Sequence, residues 1–304
     1  MSDLSSKKRA IDGIRTAIVS KSDEALNSLS GRAVSPADIH AARKTLKKAR
    51  AWLRLLRTGI SARSFREHNH ALRDAARPLS EARDAQILIE TLHKLLKRYH
   101  EPAPDRRFGR FERALQKDRR AIQRRVISSR TGIAASRRAL RRSKKALTEL
   151  SIKGKDWKVI GASFEKVYVR GRENLQAARD SPAPESLHEW RKDTKNLWHQ
   201  LQMLEPLWPG VIGEWADQAH QLADYLGDDH NLWVLRTTVK KKSDDFPDRA
   251  DSDALLALVD RHRTQLQAKA WLLGARLYEP KPRRLRARLG EYWRLWVEAR
   301  RADR

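Results

Sequence analysis

Eight side chains in two short stretches carry the chemistry of this sequence. His40, Arg43, Lys44 and Lys47 stand at i, i+3, i+4 and i+7, which brings all four to one side of an α-helix. The same types recur at His188, Arg191, Lys192 and Lys195, so H-x-x-R-K-x-x-K is written twice, 148 residues apart. This is a set of donors without an acceptor. Arg offers a fork of N–H groups that matches paired anionic oxygens, and Lys a mobile point charge. Histidine, with an ordinary pKa of about 6.5, keeps its second proton when an anion is near. Together these groups suit the holding of a multiply charged anion.

The element that positions the first set spans residues 39–57. Ile39, Ala42, Leu46, Ala49, Leu53 and Leu56 recur at helical intervals and form an apolar seam. One position on, His40, Arg43, Lys47, Arg50, Arg54 and Arg57 repeat those intervals as a basic stripe, about 100° round the helix. No acid interrupts residues 39–57, although a helix ordinarily pairs its cations with carboxylates one turn away. A solvated, solubilising face is the plain reading of such a stripe, and a track for a long anion is the sharper one. A second ladder follows at Arg106, Arg110, Arg113, Lys117, Arg120 and Arg124, where the acids before Glu149 are Asp105, Glu112 and Asp118. A surface built for solubility would intersperse the two signs more evenly.

The rest of the chain is a scaffold of helices. Long segments of helical period follow one another, and only residues 166–171 briefly read as a strand, so the fold class is all-α. Breaks are expected at Gly31, Pro78, the Pro-rich turn over 101–104, near Thr131-Gly132, at Pro182 and Pro184, and at Gly227-Asp228-Asp229, with Asp as the cap of a new helix. The 304 residues carry 65 Lys+Arg against 38 Asp+Glu, a net charge of +27, and an excess of that size points to a polyanionic partner. With no Cys there are no disulfides or thiolate sites. The N-terminus lacks the apolar run of a signal peptide and no stretch suits a bilayer span, so a cytoplasmic protein without membrane association is expected.

The motif belongs to a longer repeat. Leu187, Trp190, Thr194, Leu197, Leu201 and Leu204 fall where the first seam falls, and residues 75–88 align with 222–235, placing Arg83-Asp84 on His230-Asn231. Two blocks at nearly one offset indicate an internal duplication within a single domain over 1–304. Its halves are 5–150 and 156–300, two antiparallel helical bundles related by a pseudo-two-fold axis and joined at 151–155. The copies differ: beyond Lys195 the second stripe continues as Trp198, Gln202 and Glu205, so the first half supplies more cations.

With H-x-x-R-K-x-x-K present once in each half of a basic helical chain, the sequence resembles the CHAD domain family (conserved histidine α-helical domain). The run Leu226-Gly227-Asp228-Asp229-His230 and the segment from Tyr168 to Arg172 are similar to that family too, and the resemblance covers about residues 5–300. It implies helical bundles around a basic central groove or pore, and binding of inorganic polyphosphate, with association with polyphosphate granules a corollary. The family often carries a fused triphosphate-processing domain, for which these residues leave no room. Asn231 departs from the family's usual Asp. The ligand set expected is His40, Arg43, Lys44, Lys47, His188, Arg191, Lys192 and Lys195, supported on helical geometry by Arg50, Arg54, Arg110, Arg113, Lys117 and Arg120, with Arg172 added from the resemblance.

Competing chemistries fit less well. Zinc wants neutral His with His, Asp or Cys partners, whereas His40 and His188 have Arg and Lys as helical neighbours, so neither a metal nor a cofactor is expected. Catalysis lacks a nucleophile–base pair, a phosphate-cradling loop, or carboxylates to hold Mg²⁺ in a groove expected to be nearly acid-free, so the protein reads as a non-enzyme. Nucleic acid is the serious alternative, since basic ladders bind it nonspecifically. No zinc finger, zipper or aromatic RNA-binding pattern supports a dedicated nucleic-acid module, and Trp190, Trp233 and Trp293 sit among apolar neighbours as core residues would. Trp198, on the continuation of the basic stripe, stands apart from that pattern.

Overall fold

A computed structural model of the chain describes residues 9–31, 34–76, 80–99, 107–128 and 130–302, with the backbone alone at 80–82, 126–128 and 130–131. The stop at Pro78, the turn over 101–104, and Arg106 of the second ladder lie outside the described residues. The helices are α1 (Ala10–Ser28), α2 (Pro36–Leu53), α3 (Ala62–Ala76), α4 (Ser80–Arg98), α5 (Gly109–Ser128) and α6 (Arg130–Thr148), then α7 (Asp156–Asp180), α8 (Pro184–Leu204), α9 (Pro209–Lys241), α10 (Arg249–Leu277) and α11 (Pro282–Ala302). Among the described residues there is no strand, and no helix is long and apolar enough to cross a membrane.

α2 starts where its sequence supplies a cap. Ser35 Oγ accepts the Asp38 N–H at 3.2 Å while Asp38 Oδ2 accepts the Ser35 N–H at 2.9 Å, and Pro36 opens α2 with its φ already set. The N-terminus of α1 is capped from a distance: Asp156, at the head of α7, accepts from the N–H groups of Ala10 and Ile11. α5 ends at Ser128 and α6 begins at Arg130, so the Thr131-Gly132 backbone lies in the first turn of α6 and is not a break. The strand-like run over 166–171 is helical, because Val159, Ile160, Phe164, Val167, Tyr168, Gly171 and Leu175 bury one continuous face of α7.

The break expected at Gly227-Asp228-Asp229 does not exist. α9 passes through it as one helix of 33 residues. Leu222, Ala223 and Leu226 before the glycine and Leu232, Leu235 and Val239 after it are all buried, so packing on both sides outweighs the modest cost of a helical glycine. Asp229 is not a cap. Its buried carboxylate accepts from Arg263 Nε at 3.0 Å and Gln267 Nε2 at 2.8 Å, both on α10.

The two motif helices lie at the centre. α1 packs on α2 as α7 packs on α8, α6 covers α1 as α11 covers α7, and α2 and α8 pack against each other. Trp52 Nε1 donates to the carbonyl of His199 at 2.9 Å, and Gln200 Nε2 donates to the carbonyl of Ala51 at 3.2 Å. The buried apolar residues form two clusters. The larger unites the seams of α2 and α8, and the smaller joins α4 and α5 to the C-terminal half of α9 and to α10. Neither is confined to one half of the sequence. Residues 151–155 form a tight irregular connection, pinned where Lys153 N–H meets the Gly59 carbonyl at 2.9 Å, with Gly154 at φ 103°, the left-handed region that glycine enters without strain.

Candidate functional site

On α2 the apolar seam and the basic stripe separate as the spacing requires. Ile39, Ala42, Leu46, Ala49 and Leu53 are buried, which turns His40, Arg43, Lys44, Lys47 and Arg50 outward. Arg54 follows on the 3₁₀ turn Arg54–Gly59 and donates to the Arg50 carbonyl at 2.7 Å, while Arg50 Nε is held by Asn69 of α3 at 3.1 Å. On α8 the seam Leu187, Trp190, Thr194, Leu197, Leu201 and Leu204 is buried in the same way. His188, Arg191 and Lys195 stand at its edge, partly covered.

The packing of α2 on α8 brings the two stripes together. Arg191 of α8 and Arg43 of α2 both act on Lys47, and Lys195 in turn feels Arg191 and Lys47. Both lysines are pushed down to about 8, chiefly because protein withdraws water from the ammonium and then because of these like charges. Lys47 nevertheless keeps an exposed surface. Burial also lowers Arg43, Arg191 and Arg54 from the ordinary guanidinium value, aided by neighbouring arginines at Arg54 and partly offset by nearby aspartates at Arg43 and Arg191, although a guanidinium stays charged at neutral pH. The histidines are displaced in the same direction. His40 is lowered by partial burial and then by Arg83, Lys44, Lys47 and Arg43, and His188 by partial burial and then by Arg191 and Lys192.

Several of these donors have nothing to donate to. Arg43 Nη1, Arg83 Nε, His188 Nδ1 and Arg191 Nε are buried without a hydrogen-bond partner in the described structure. An unmet buried donor costs about 1–3 kcal/mol, more when charged, and here four gather on α2, α8 and the flanking α4.

The second aligned block completes the site and supplies residues outside the expected ligand set. Arg83 and Asp84 on α4 face α2: Asp84 lies 3.8 Å from Arg43, and Arg83 is bound to Glu90 at 3.0 Å. His230 on α9 meets His188 ring to ring, centroids 4.7 Å apart. The Arg191 guanidinium lies against α9 at Gly227, where a Cβ would stand 3.4 Å from Arg191 Nε, in ordinary van der Waals contact. The signal for Arg83 and His230 was present in the sequence as the alignment of 83–84 with 230–231. The site is also less free of acid than expected, because Asp84, Asp224 and Asp228 all bear on Arg191. Asp228, partly desolvated, is itself raised above the usual carboxylate range.

The other expected residues lie elsewhere or are more loosely held. Lys44 and Lys192 are exposed, with Lys192 bound to Glu189 at 2.8 Å. Arg110, Arg113, Lys117 and Arg120 form an exposed row on α5, a helix that packs on α4 and not on α2 or α8. Arg172 faces the α10–α11 connection, donating to the carbonyls of Glu279 and Pro280, each at 3.2 Å. From α7, Arg170 acts on Arg54 and is paired with buried Asp193. Trp190 is fully buried against Trp271, Trp233 and Trp293 are half-buried, and Trp198 stacks on His199 with centroids 4.3 Å apart. Among the described residues no group of three or more His, Asp or Glu side chains could hold a metal ion.

The fold and site thus define an all-helical protein whose two motif-bearing helices pack on each other and pool their cations. The model of one family, the CHAD domain, matches residues 23–240, and the chain belongs to that family. No curated protein matches it.

Proposed function

We propose that the protein binds inorganic polyphosphate, without catalysis, in a basic groove built from α2 and α8 and flanked by α4 and α9. The observation that carries this reading is the gathering of unpartnered, partly desolvated donors at Arg43, Arg83, His188 and Arg191. A linear polyphosphate presents closely spaced charged oxygens and no bases, so it can satisfy such donors at any register along its length. Membership of the CHAD domain family is consistent with that ligand.

The hydrogen bonds of Trp52 to the His199 carbonyl and of Gln200 to the Ala51 carbonyl support a pseudo-two-fold arrangement. Each joins one position of a half to the same partner position of the other, as an isologous contact does. On this reading the halves meet along α2 and α8, and Lys47 and Lys195 stand beside the axis. Asp84, Asp224 and Asp228 orient the two arginines while the groove is empty, in the presence of a large cationic excess. The protein would act in the cytoplasm, on free polyphosphate or on its granules.

The test is Arg43→Ala with Arg191→Ala, assayed with labelled long-chain polyphosphate near physiological salt. At least a tenfold loss of affinity is expected, and unchanged affinity refutes the site. The exposed row on α5 favours a second reading, nonspecific nucleic-acid binding. Displacement of bound polyphosphate by DNA or RNA at matched phosphate concentration would put that reading first.

A further inference from the structure

We propose that occupation of this groove by a polyanion takes up protons, and that the stacked pair His188 and His230 receives them. The inference rests on the polyphosphate reading above. The two rings come from different helices and meet with centroids 4.7 Å apart and planes inclined at 44°. His188 Nδ1 is buried with no partner, so a ring nitrogen is already turned away from water with no internal carboxylate to bind it. On its other side His230 lies over Trp233, with centroids 6.0 Å apart, which fixes the ring in place.

The charges around the pair come from every helix packed on it. α8 contributes Glu189, Arg191, Lys192 and Lys195, and α2 contributes Lys47. Arg263 reaches it from α10 but is itself committed to Asp229. Asp224 and Asp228 on α9 and Asp84 on α4 act on the neighbouring Arg191, and Lys94 of α4 acts on Asp228. Cations dominate this set, and the rings also oppose one another's charging. Two imidazoliums in contact within a cluster of ammonium and guanidinium groups repel both each other and their neighbours. His230 accordingly is held down to about 4, by desolvation first and then by Arg191 and His188. The empty groove therefore keeps the pair neutral at neutral pH.

A polyphosphate laid along Lys47, Arg191 and Lys195 reverses the sign of that field. Its phosphate oxygens neutralise the cations that opposed protonation of the two rings. The pair thus acts as a proton-linked element of the site, and affinity rises as pH falls from 7.5 towards 5.5. The linkage is quantitative: an uptake of about half a proton raises the binding constant about threefold for each pH unit lost.

The experiment is calorimetric titration of the whole protein with long-chain inorganic polyphosphate at fixed salt and pH 6.5, repeated in buffers of different ionisation enthalpy. Long chains keep titratable terminal phosphates negligible. The expected result is a buffer-dependent heat corresponding to roughly half a proton or more taken up per site. His230→Gln should shrink it, and His230→Lys should abolish most of it while retaining affinity, because the charge is then carried permanently. His93→Gln, at a histidine bound to Glu112 on the α4–α5 face, should leave it unchanged. Binding with no buffer dependence overturns the proposal while sparing the polyphosphate reading, and so does uptake that persists undiminished in both His230 variants. Failure of the native protein to bind polyphosphate at any pH removes the reading and the proposal together.

Discussion

Lys47 and Lys195 give the sharpest test of whether α2 and α8 form one site. Each is pushed from 10.5 to about 8, chiefly by lost water and then by cations of both helices, Arg43 and Arg191 on Lys47 and Arg191 and Lys47 on Lys195. Lys→Met keeps the aliphatic stem and removes only the charge. For a flexible single-stranded polyanion the binding constant falls with salt at about 0.7 in log–log slope per neutralised phosphate. If Arg43, Lys44, Lys47, Arg50, Arg54, Arg191, Lys192 and Lys195 all engage, the native slope is roughly −6, and the Lys47→Met/Lys195→Met protein should give roughly −4. Over a tenfold rise in salt, the double variant then loses about 1.4 fewer decades of affinity than the native protein. The same substitutions should raise the thermal midpoint of the ligand-free protein. A base with a lowered folded pKa makes stability rise with pH between its folded and unfolded values, here from about 8 to 10.5, and at neutral pH its charge opposes folding. The assay is polyphosphate binding by fluorescence anisotropy across a salt series, paired with thermal melts. An unchanged slope in the double variant would refute a shared groove, and a lowered melting temperature would refute the electrostatic strain.

Two further predictions concern the scaffold that holds the site. Gly274 of α10 lets Trp190 of the second motif helix lie flat on the backbone, and a Cβ there would overlap the indole, with Cη2 only 2.8 Å away. Gly274→Ala should therefore destabilise the protein by about 1–3 kcal/mol in denaturant melts, whereas Gly210→Ala, with nothing within 4 Å, should be near neutral. His199, buried on α8 and held down to about 4 chiefly by desolvation, is neutral in the fold and protonates more readily unfolded. Stability should fall as pH drops from 6.5 to 4, by roughly 3 kcal/mol from this residue, and His199→Gln should flatten that region of the pH–stability curve.

The features of this molecule that were legible in its sequence are those set by local period. Seam and stripe on α2 follow from spacing alone, and α7, α8, α10 and α11 begin and end within a few residues of their apolar periodicity and prolines. Direction was not legible. Arg110, Arg113, Lys117 and Arg120 have the spacing of a good ladder, but helical period does not say which way a helix lies in the bundle, and α5 packs on α4. Arg172 shows the same limit within one helix: two residues from Arg170, it points to the opposite side of α7 and ties down the 279–280 backbone. Gly227-Asp228-Asp229 misled because each residue is a local helix breaker or cap. Tertiary partners at Arg191, Arg263 and the two buried clusters settle its conformation instead.

The burial of the two seams explains how the fold tolerates its own charge. Two like charges 4 Å apart near a protein surface repel by about 4 kcal/mol, and several such encounters would push apart a pair of helices joined by polar contacts alone. α2 and α8 are not joined that way. Behind the cations, Leu46, Leu53, Trp190, Leu197 and Leu201 belong to one buried cluster, and each large side chain contributes about 1.5–3 kcal/mol on leaving water. The hydrogen bonds from Trp52 and Gln200 to backbone carbonyls fix the register of one helix on the other. Apolar burial thus sets the distance between the stripes, and repulsion cannot relax it. The cations remain close together and under-hydrated, with donors unmet, and an anion long enough to span both helices gains from all of them at once. Exposed cations such as those on α5 start fully hydrated and give up that water on binding, so equal charge there yields weaker and less selective association.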